Sequence, residues 1–399
     1  MHAFDDIRPY HDSEVRSVVD RLVEELGLSE AMAKFRYPGF YRLFPGPVTR
    51  LVQLGLKQEL RHVQKVHDVQ AIIEKYLDKL IEKTTDGLTH SGLDQLDPTR
   101  PCLFISNHRD ITMDPALVNY MLYHNGFETM QIAIGDNLLK RPFLSDLMKL
   151  NKSFIVKRSL QGREKLAASK QLSAYIRHCI ATGHNVWIAQ REGRAKDGID
   201  KTETAVIKML QLAARNETPA MPLEDLINQL NIVPVAISYE FDPCDQAKAR
   251  ELYAIDTVGR FDKDENSDVQ SILTGMLGMK GAVHVSFGER LQVEDVVTAE
   301  GVAELIDSQI INNYQLHLVN YLALEMIQDD FMDFSNLPAK LGVTQAQVSQ
   351  KRAEFQERLQ ALAPELQPYV LGMYANPVIR QTEMQHLKQA SARPLAHLK

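Results

Sequence analysis

Residues Cys102 to Pro115 read CLFISNHRDITMDP, and the fold of the chain turns on them. A short apolar run, Cys102-Leu103-Phe104-Ile105, stops abruptly at Ser106-Asn107-His108, and Asp114-Pro115 follow. An apolar run bounded by polar turn formers predicts a buried strand of an α/β sheet. Ligands of such sheets gather beyond the carboxyl ends of the strands, which is where His108 would sit. An imidazole with a carboxylate close by is the minimal kit for general-base chemistry: one ring nitrogen takes a proton while the carboxylate holds the other. The blander account is a loop histidine and a helix-capping aspartate.

The same kind of run recurs at Met130–Ile134, Ser153–Val156, Asn185–Ala189, Ile232–Ile237 and Val283–Phe287. Helical periodicity lies between them, over Pro115–Tyr123, Glu164–Ala181 and Thr202–Ala214. This alternation predicts an α/β fold with a mixed, mainly parallel sheet flanked by helices. Upstream, Val15, Val18, Val19, Leu22, Val23 and Leu26 mark a helix over 13–33 behind an Asp12/Ser13 cap. Breaks follow at Tyr37-Pro38-Gly39 and Pro45-Gly46-Pro47, then a long amphipathic helix from Val63 to Ile81. Beyond 298 the pattern is helical again through Ala303–Met326 and 338–362, ending in a tail expected to be mobile. The organisation is therefore 1–95, a helical N-terminal region; 96–298, the α/β domain; and 299–399, a helical C-terminal region.

At 399 residues, 44% hydrophobic and 24% charged, the chain has the composition of a globular protein with a substantial core. A formal net charge of −7 argues against nonspecific nucleic-acid binding by the chain as a whole. Cys102, Cys179 and Cys244 lie far apart in no metal-ligand spacing, so no metal is expected and a reducing compartment is. The N-terminal MHAFDDIRPYHDSEV is no secretory signal, and no window approaches ~18 consecutive apolar residues. The expected location is cytoplasmic, with any membrane contact peripheral and on the cytoplasmic face. Phe40 to Leu56, where aromatics and leucines interleave with Arg42 and Arg50, suits an in-plane membrane anchor or a linker packed on a core.

Three further blocks join Asn107-His108 and Asp114, each at the end of an expected strand. They are Phe154-Ile155-Val156-Lys157-Arg158, then Gln190-Arg191-Glu192-Gly193-Arg194-Ala195-Lys196, then Ile232-Val233-Pro234-Val235-Ala236-Ile237-Ser238-Tyr239. The planar donor fork of arginine suits phosphate. Gly193 lets the backbone approach a ligand or take positive φ. An acid such as Glu192 beside arginines fixes their direction. Singly, each block also reads as a solvated strand end, a charged turn or an edge strand.

In order and interval these blocks resemble the glycerol-3-phosphate / 1-acylglycerol-3-phosphate acyltransferase superfamily. That family carries Asn-His-x4-Asp, Phe-Ile-x-Arg, Glu-Gly-x-Arg or Gly-Gly-Arg-x-Arg, and Val-Pro-Val/Ile blocks in this sequence. The resemblance covers about 96–290, and the layout, with a helical region ahead, looks most like the plastid-type glycerol-3-phosphate acyltransferases. It implies that His108 is the general base and Asp114 its orienting partner. It further implies that Lys157, Arg158, Arg194 and Lys196 bind the acceptor phosphate, with Glu192 and Gly193 shaping their loop and Pro234 lining the pocket. The implied donor is acyl-CoA or acyl carrier protein, an activated thioester that requires no cofactor, and the implied acceptor is a phosphorylated glycerol. The spacing here is His108-x5-Asp114, one residue longer than the family's. On a regular helix the two would diverge, so contact requires a loop or a distorted first turn, and Asp110 competes for the role. Asp114 is preferred for its Asp-Pro context.

Other functions remain in view. A thioesterase on the same kit would use water as acceptor, though water needs no cradle of cations. Leu337 to Ser349, with Gly342 at a turn, resembles a DNA-binding helix-turn-helix. Its flank is acidic (Asp329, Asp330, Asp333) and Lys351 and Arg352 are few, so helix packing and no nucleic-acid partner are expected. The irregular His–Asp interval also suits a peripheral membrane protein with a degenerate site.

Overall fold

The apolar runs form strands and the periodic stretches form helices in the computed structural model, which describes residues 4–139, 142–217, 219–264, 267–328 and 330–391. The strands are β1 (Gly87–Ser91), β2 (Leu103–Ser106), β3 (Gln131–Gly135), β4 (Ser153–Val156), β5 (Val186–Ala189), β6 (Ile232–Tyr239) and β7 (Ala282–Phe287). The helices up to β4 are α1 (Asp12–Glu24), α2 (Leu26–Arg36), α3 (Pro38–Leu43), α4 (Pro45–Glu59), α5 (Val66–Thr84), α6 (Met113–His124) and α7 (Pro142–Leu150). Those that follow are α8 (Gly162–Ala181), α9 (Thr204–Gln211), α10 (Leu223–Leu230), α11 (Asp245–Val258), α12 (Ser267–Leu277) and α13 (Ala299–Asn313). The chain closes with α14 (Leu318–Ile327), α15 (Leu337–Leu341), α16 (Gln345–Gln360) and α17 (Gln367–Ser391). The fold is α/β, with helical N- and C-terminal regions.

Two compact units result, and they cut across the division into 1–95, 96–298 and 299–399. The larger comprises Lys79–Thr129 and Ile180–Lys399, the smaller Met1–Asp78 and Met130–Cys179.

In the larger unit five strands run in the order β1-β7-β6-β2-β5. Pairings β1/β7, β2/β6 and β2/β5 are parallel and β6/β7 is antiparallel, a mixed, mainly parallel arrangement. All four residues of β2 and all eight of β6 are buried, as expected of strands covered on both faces. Burying a side chain such as Phe104 contributes about 1.5–3 kcal/mol. Pro234 lies in β6 between β2 and β7 rather than on an edge, and its carbonyl accepts the Gly288 N–H at 2.8 Å. Strand β1 is not marked by an apolar run: it reads Gly-Leu-Thr-His-Ser, and four of its five residues are exposed.

The helix expected over 338–362 is two, α15 and α16, broken at Gly342, which takes φ +65° as a left-handed cap. The segment expected to be a tail continues as α17 to Ser391, and Val370, Met373, Tyr374, Ala375 and Val378 are buried. Its apolar positions pack with α14 and α16 around Leu322, Leu324, Phe355 and Leu359. The last residues of the expected tail, 392–399, lie outside the described residues.

In the smaller unit β3 and β4 are parallel, Ile132 opposite Ser153 and Gly135 opposite Val156. The helix expected over 13–33 is also two, α1 and α2, because Glu25 is extended (ψ 121°). Val15, Val18, Val19, Leu22 and Val23 of α1 meet Val63, Val66, Phe143 and Leu150 in one apolar cluster. The two Pro/Gly breaks begin helices: Pro38 and Pro45 occupy the first turns of α3 and α4, where the missing N–H costs nothing.

Candidate functional site

His108 is not helical. It sits in the loop that leaves β2, and α6 begins only at Met113, so the longer interval to Asp114 is taken up by the turn 109–112. The turn brings His108 Nδ1 within 2.9 Å of Asp114 Oδ2. Asp110, the competitor, instead accepts the N–H groups of Thr112 (2.9 Å) and Met113 (2.8 Å) at the N-terminus of α6. Burial, then the nearby Asp114, raises the Asp110 pKa.

Asp114 is fully buried and heavily hydrogen-bonded. Its Oδ2 also accepts the N–H groups of Arg109 (2.6 Å) and Asp110 (2.9 Å), and its Oδ1 accepts the Tyr239 hydroxyl (2.7 Å). A carboxylate is acceptor only, so the facing Nδ1 carries the proton and Nε2 keeps a lone pair. The His108 side chain is 13% exposed. The ring stands edge-on to Trp187 at 5.8 Å between centroids, and the Trp187 indole N–H donates to Ser106 Oγ at 3.0 Å.

The loop is pinned on both sides of the imidazole. Asn107 continues the pairing of β2 with β6 through its side chain: Nδ2 donates to Ile237 O (3.0 Å) and Oδ1 accepts Ile237 N–H (2.8 Å). Asp200 Oδ2 accepts both Asn107 Nδ2 (3.2 Å) and Arg109 Nη2 (2.5 Å). The Arg109 guanidinium, 5% exposed as a residue, lies over the Tyr314 ring at 5.4 Å. Its backbone oxygen accepts Lys248 Nζ at 2.7 Å, and Lys248 is ion-paired with Asp242. Burial works against Asp242 ionising, yet Lys248 and the Cys244 N–H hold its pKa below the usual value.

The third block meets the first. Ala195 N–H donates to His108 O at 2.7 Å, which places Arg194 one residue from the base's own loop. Gly193 has φ +74°, the left-handed turn that lets the chain double back there. Arg194 Nη2 donates to Ser271 Oγ of α12 (3.2 Å), and its Nη1 is buried with no hydrogen-bond partner among the described residues. Lys196 is paired with Glu251 of α11 at 3.1 Å, so its charge is already committed. Glu203 rather than Glu192 braces this loop: it accepts the Glu192 N–H (3.2 Å) and lies 3.9 Å from Arg191. The Glu192 side chain is exposed.

Lys157 and Arg158 belong to the smaller unit. Lys157 is ion-paired with Asp6, and Arg158 donates its backbone N–H to Asp136 Oδ1 (3.1 Å). That unit also holds an apolar groove of about 410 Å³ lined by Met32, Arg36, Tyr37, Phe40, Leu51 and Leu56.

Sequence reasoning quoted Asn107 and Tyr239 without giving them roles, and Arg109, Asp200, Trp187 and Lys248 it passed over. Tyr239 carried one usable signal, its place at the carboxyl end of a buried strand.

In and just beyond the helix-turn-helix lookalike, Lys351 pairs with Glu240 (3.1 Å), Arg352 with Glu325 (2.7 Å) and Arg358 with Asp245 (2.6 Å), so these partly buried cations are engaged within the chain.

A mixed α/β sheet presents a His–Asp pair at a strand end with an arginine donor alongside, an arrangement chemically suited to group transfer. The family model Acyltransferase matches residues 87–238. Over these residues the chain is similar to acyltransferases of the glycerol-3-phosphate / 1-acylglycerol-3-phosphate type. Similar proteins include the glycerol-3-phosphate acyltransferase of Pseudoalteromonas atlantica, 27% identical over 44% of this chain and 23% of that protein. The glycerol-3-phosphate acyltransferase of Pseudomonas syringae pv. tomato is 23% identical over 59% of this chain and 27% of that protein. This chain thus spans about a quarter of the length of the curated relatives it matches. Among solved structures, the 1-acyl-sn-glycerophosphate (LPA) acyltransferase of Thermotoga maritima aligns with a TM-score of 0.37 and 13% identity, over 71% of this chain and 91% of that one.

Proposed function

We propose that the chain transfers a fatty acyl group from a thioester, acyl-CoA or acyl carrier protein, to a hydroxyl of glycerol-3-phosphate or 1-acylglycerol-3-phosphate. His108 is the base, and no cofactor beyond the donor takes part. The observation that carries this reading is the His108–Asp114 pair with Arg194 Nη1 on the adjoining loop, buried and without a hydrogen-bond partner among the described residues. Nε2 takes the proton of the acceptor hydroxyl as its oxygen attacks the thioester carbonyl. The tetrahedral intermediate then collapses, the carbon–sulfur bond breaks, and the imidazolium returns the proton to the leaving thiolate. Arg194 holds the acceptor phosphate. Lys196 serves the loop through Glu251 rather than the phosphate.

Peripheral membrane contact belongs to the same reading. No helix of the described residues is long and apolar enough to cross a membrane. Phe40, Leu43, Phe44, Leu51 and Leu54 nonetheless stand 58–70% exposed on α3, α4 and the residue between them. Residues 31–58 carry Lys34, Arg36, Arg42, Arg50 and Lys57 and no carboxylate, in a chain of net charge −7. Exposed apolar side chains among cations suit an anionic lipid surface.

The test is a side-by-side assay of glycerol-3-phosphate and lysophosphatidate with one labelled acyl-CoA and the matching acyl carrier protein. Acyl transfer should depend on acceptor and fall at least about 1,000-fold in His108→Ala with the fold intact. Thiol release at equal rates with and without acceptor would replace this reading by hydrolysis, and unchanged turnover in His108→Ala would remove the base.

A further inference from the structure

The two oxygens of Asp114 are used differently. Oδ2 faces His108 and two backbone N–H groups, whereas Oδ1 accepts the Tyr239 hydroxyl at 2.7 Å. Tyr239 closes β6, is 5% exposed, and is held by its pairing with Val283 of β7, so its ring has little room to turn. Burial and then Asp114 push its pKa well above the ordinary phenol, which keeps the hydroxyl a donor throughout the working range. The reaction as written above uses none of this.

We infer that Tyr239 is a positioning residue for the His108–Asp114 pair: its hydroxyl fixes the direction of the carboxylate and draws charge from the oxygen that faces the imidazole. A carboxylate shares one negative charge between two oxygens. A donor on Oδ1 therefore lowers the charge that Oδ2 presents to the ring, and with it the basicity of Nε2. Without the hydroxyl the ring should bind its proton more tightly and the carboxylate should lose a restraint. The other charged groups near the pair are Asp110, which caps α6; Asp242, neutralised by Lys248; Arg109, held by Asp200; and Arg194 on the adjoining loop, bonded to Ser271. All stay in place when only the phenol oxygen is altered. The inference rests on His108 being the base of the proposed reaction.

The experiment compares the wild type, Tyr239→Phe and a protein carrying 3,5-difluorotyrosine at 239, whose hydroxyl is a stronger donor. The His108 ring is titrated by NMR, assigned through His108→Gln. Its pKa should rise by roughly half a unit in Tyr239→Phe and fall in the fluorinated protein. Acyl-transfer kcat should drop about ten-fold in Tyr239→Phe with both KM values unchanged, and the acid limb of the pH profile should move with the ring. An identical titration in all three folded proteins overturns the inference whatever happens to kcat. Should Tyr239→Phe fail to fold, the sign of the shift in the fluorinated protein decides alone. A titration that moves as expected in a protein with no acyl transfer supports the positioning role and sinks the proposed function.

Discussion

Arg109 and Arg42 carry the same guanidinium in opposite settings. Arg109 is 5% exposed, bonded to Asp200 and lying over Tyr314, and its backbone oxygen is held by Lys248. Arg42 is exposed beside Leu43 and Phe44, which are 70% and 58% exposed. A buried cation costs several kcal/mol to desolvate unless a counter-charge is at hand, and Arg109 has one in Asp200 although its Nε has no hydrogen-bond partner among the described residues. The partners of Arg109 come from 91 to 205 positions away along the chain, so its setting exists only in the folded state. Arg42 needs no such assembly, because water serves it; the unusual feature there is the apolar surface beside it.

The largest effect should follow from breaking the buried pair. Asp200→Ala leaves Arg109 without its carboxylate and Asn107 Nδ2 without one of its acceptors. A loss of about 3–5 kcal/mol in denaturant unfolding is expected. Asp200→Asn should lose less: it retains an oxygen acceptor and tolerates the left-handed backbone at this residue, φ +48°. Asp200→Ala within about 1 kcal/mol of wild type would mean that the His108 loop is not held from below by an ion pair.

His317 extends the comparison to a second buried titratable group. It is 9% exposed at the start of α14, and burial lowers its pKa to about 4. The unfolded chain would bind this proton near pH 6.5, the folded one only near 4. Between those values the unfolded state holds more protons, so stability is intact above pH 6.5 and declines as the pH falls toward 4. The full swing is on the order of 3 kcal/mol. In His317→Gln the loss of stability between pH 6.5 and 4.5 should be correspondingly shallower; equal slopes in variant and wild type would show that this imidazole is not the acid-sensitive group.

How much of this could be read from the sequence depends on how local each feature is. β2, β4 and β5 announced themselves as apolar runs, whereas β1 could not, because an exposed edge strand needs no apolar side chains. His108 was legible for the same reason as β2: it ends the run. Whether Asp110 or Asp114 served it was not, since the answer lies in the turn 109–112. Tyr239 and Asp200 lie 125 and 93 positions from the groups they bond, and only strand order brings them there. Pro38 and Pro45 misled as breaks, because proline that stops one helix equally well starts the next.

The smallest stability effect belongs to the exposed side of the comparison, and it separates folding from lipid contact. Phe40→Ser with Leu43→Ser removes side chains that are 67% and 70% exposed, so unfolding should change by no more than about 0.5 kcal/mol. Each apolar side chain that enters a bilayer interface should still contribute about 1–3 kcal/mol to binding, and the neighbouring cations about 1 kcal/mol each on an anionic surface. The double variant should therefore keep its unfolding curve while sedimenting at least ten-fold less with phosphatidylglycerol-containing vesicles. Wild-type binding should weaken as salt rises, because the cations contribute part of it. A marked fall in stability would show that Phe40 and Leu43 cover a core after all. Unchanged stability with unchanged vesicle binding would leave this face without lipid as its partner.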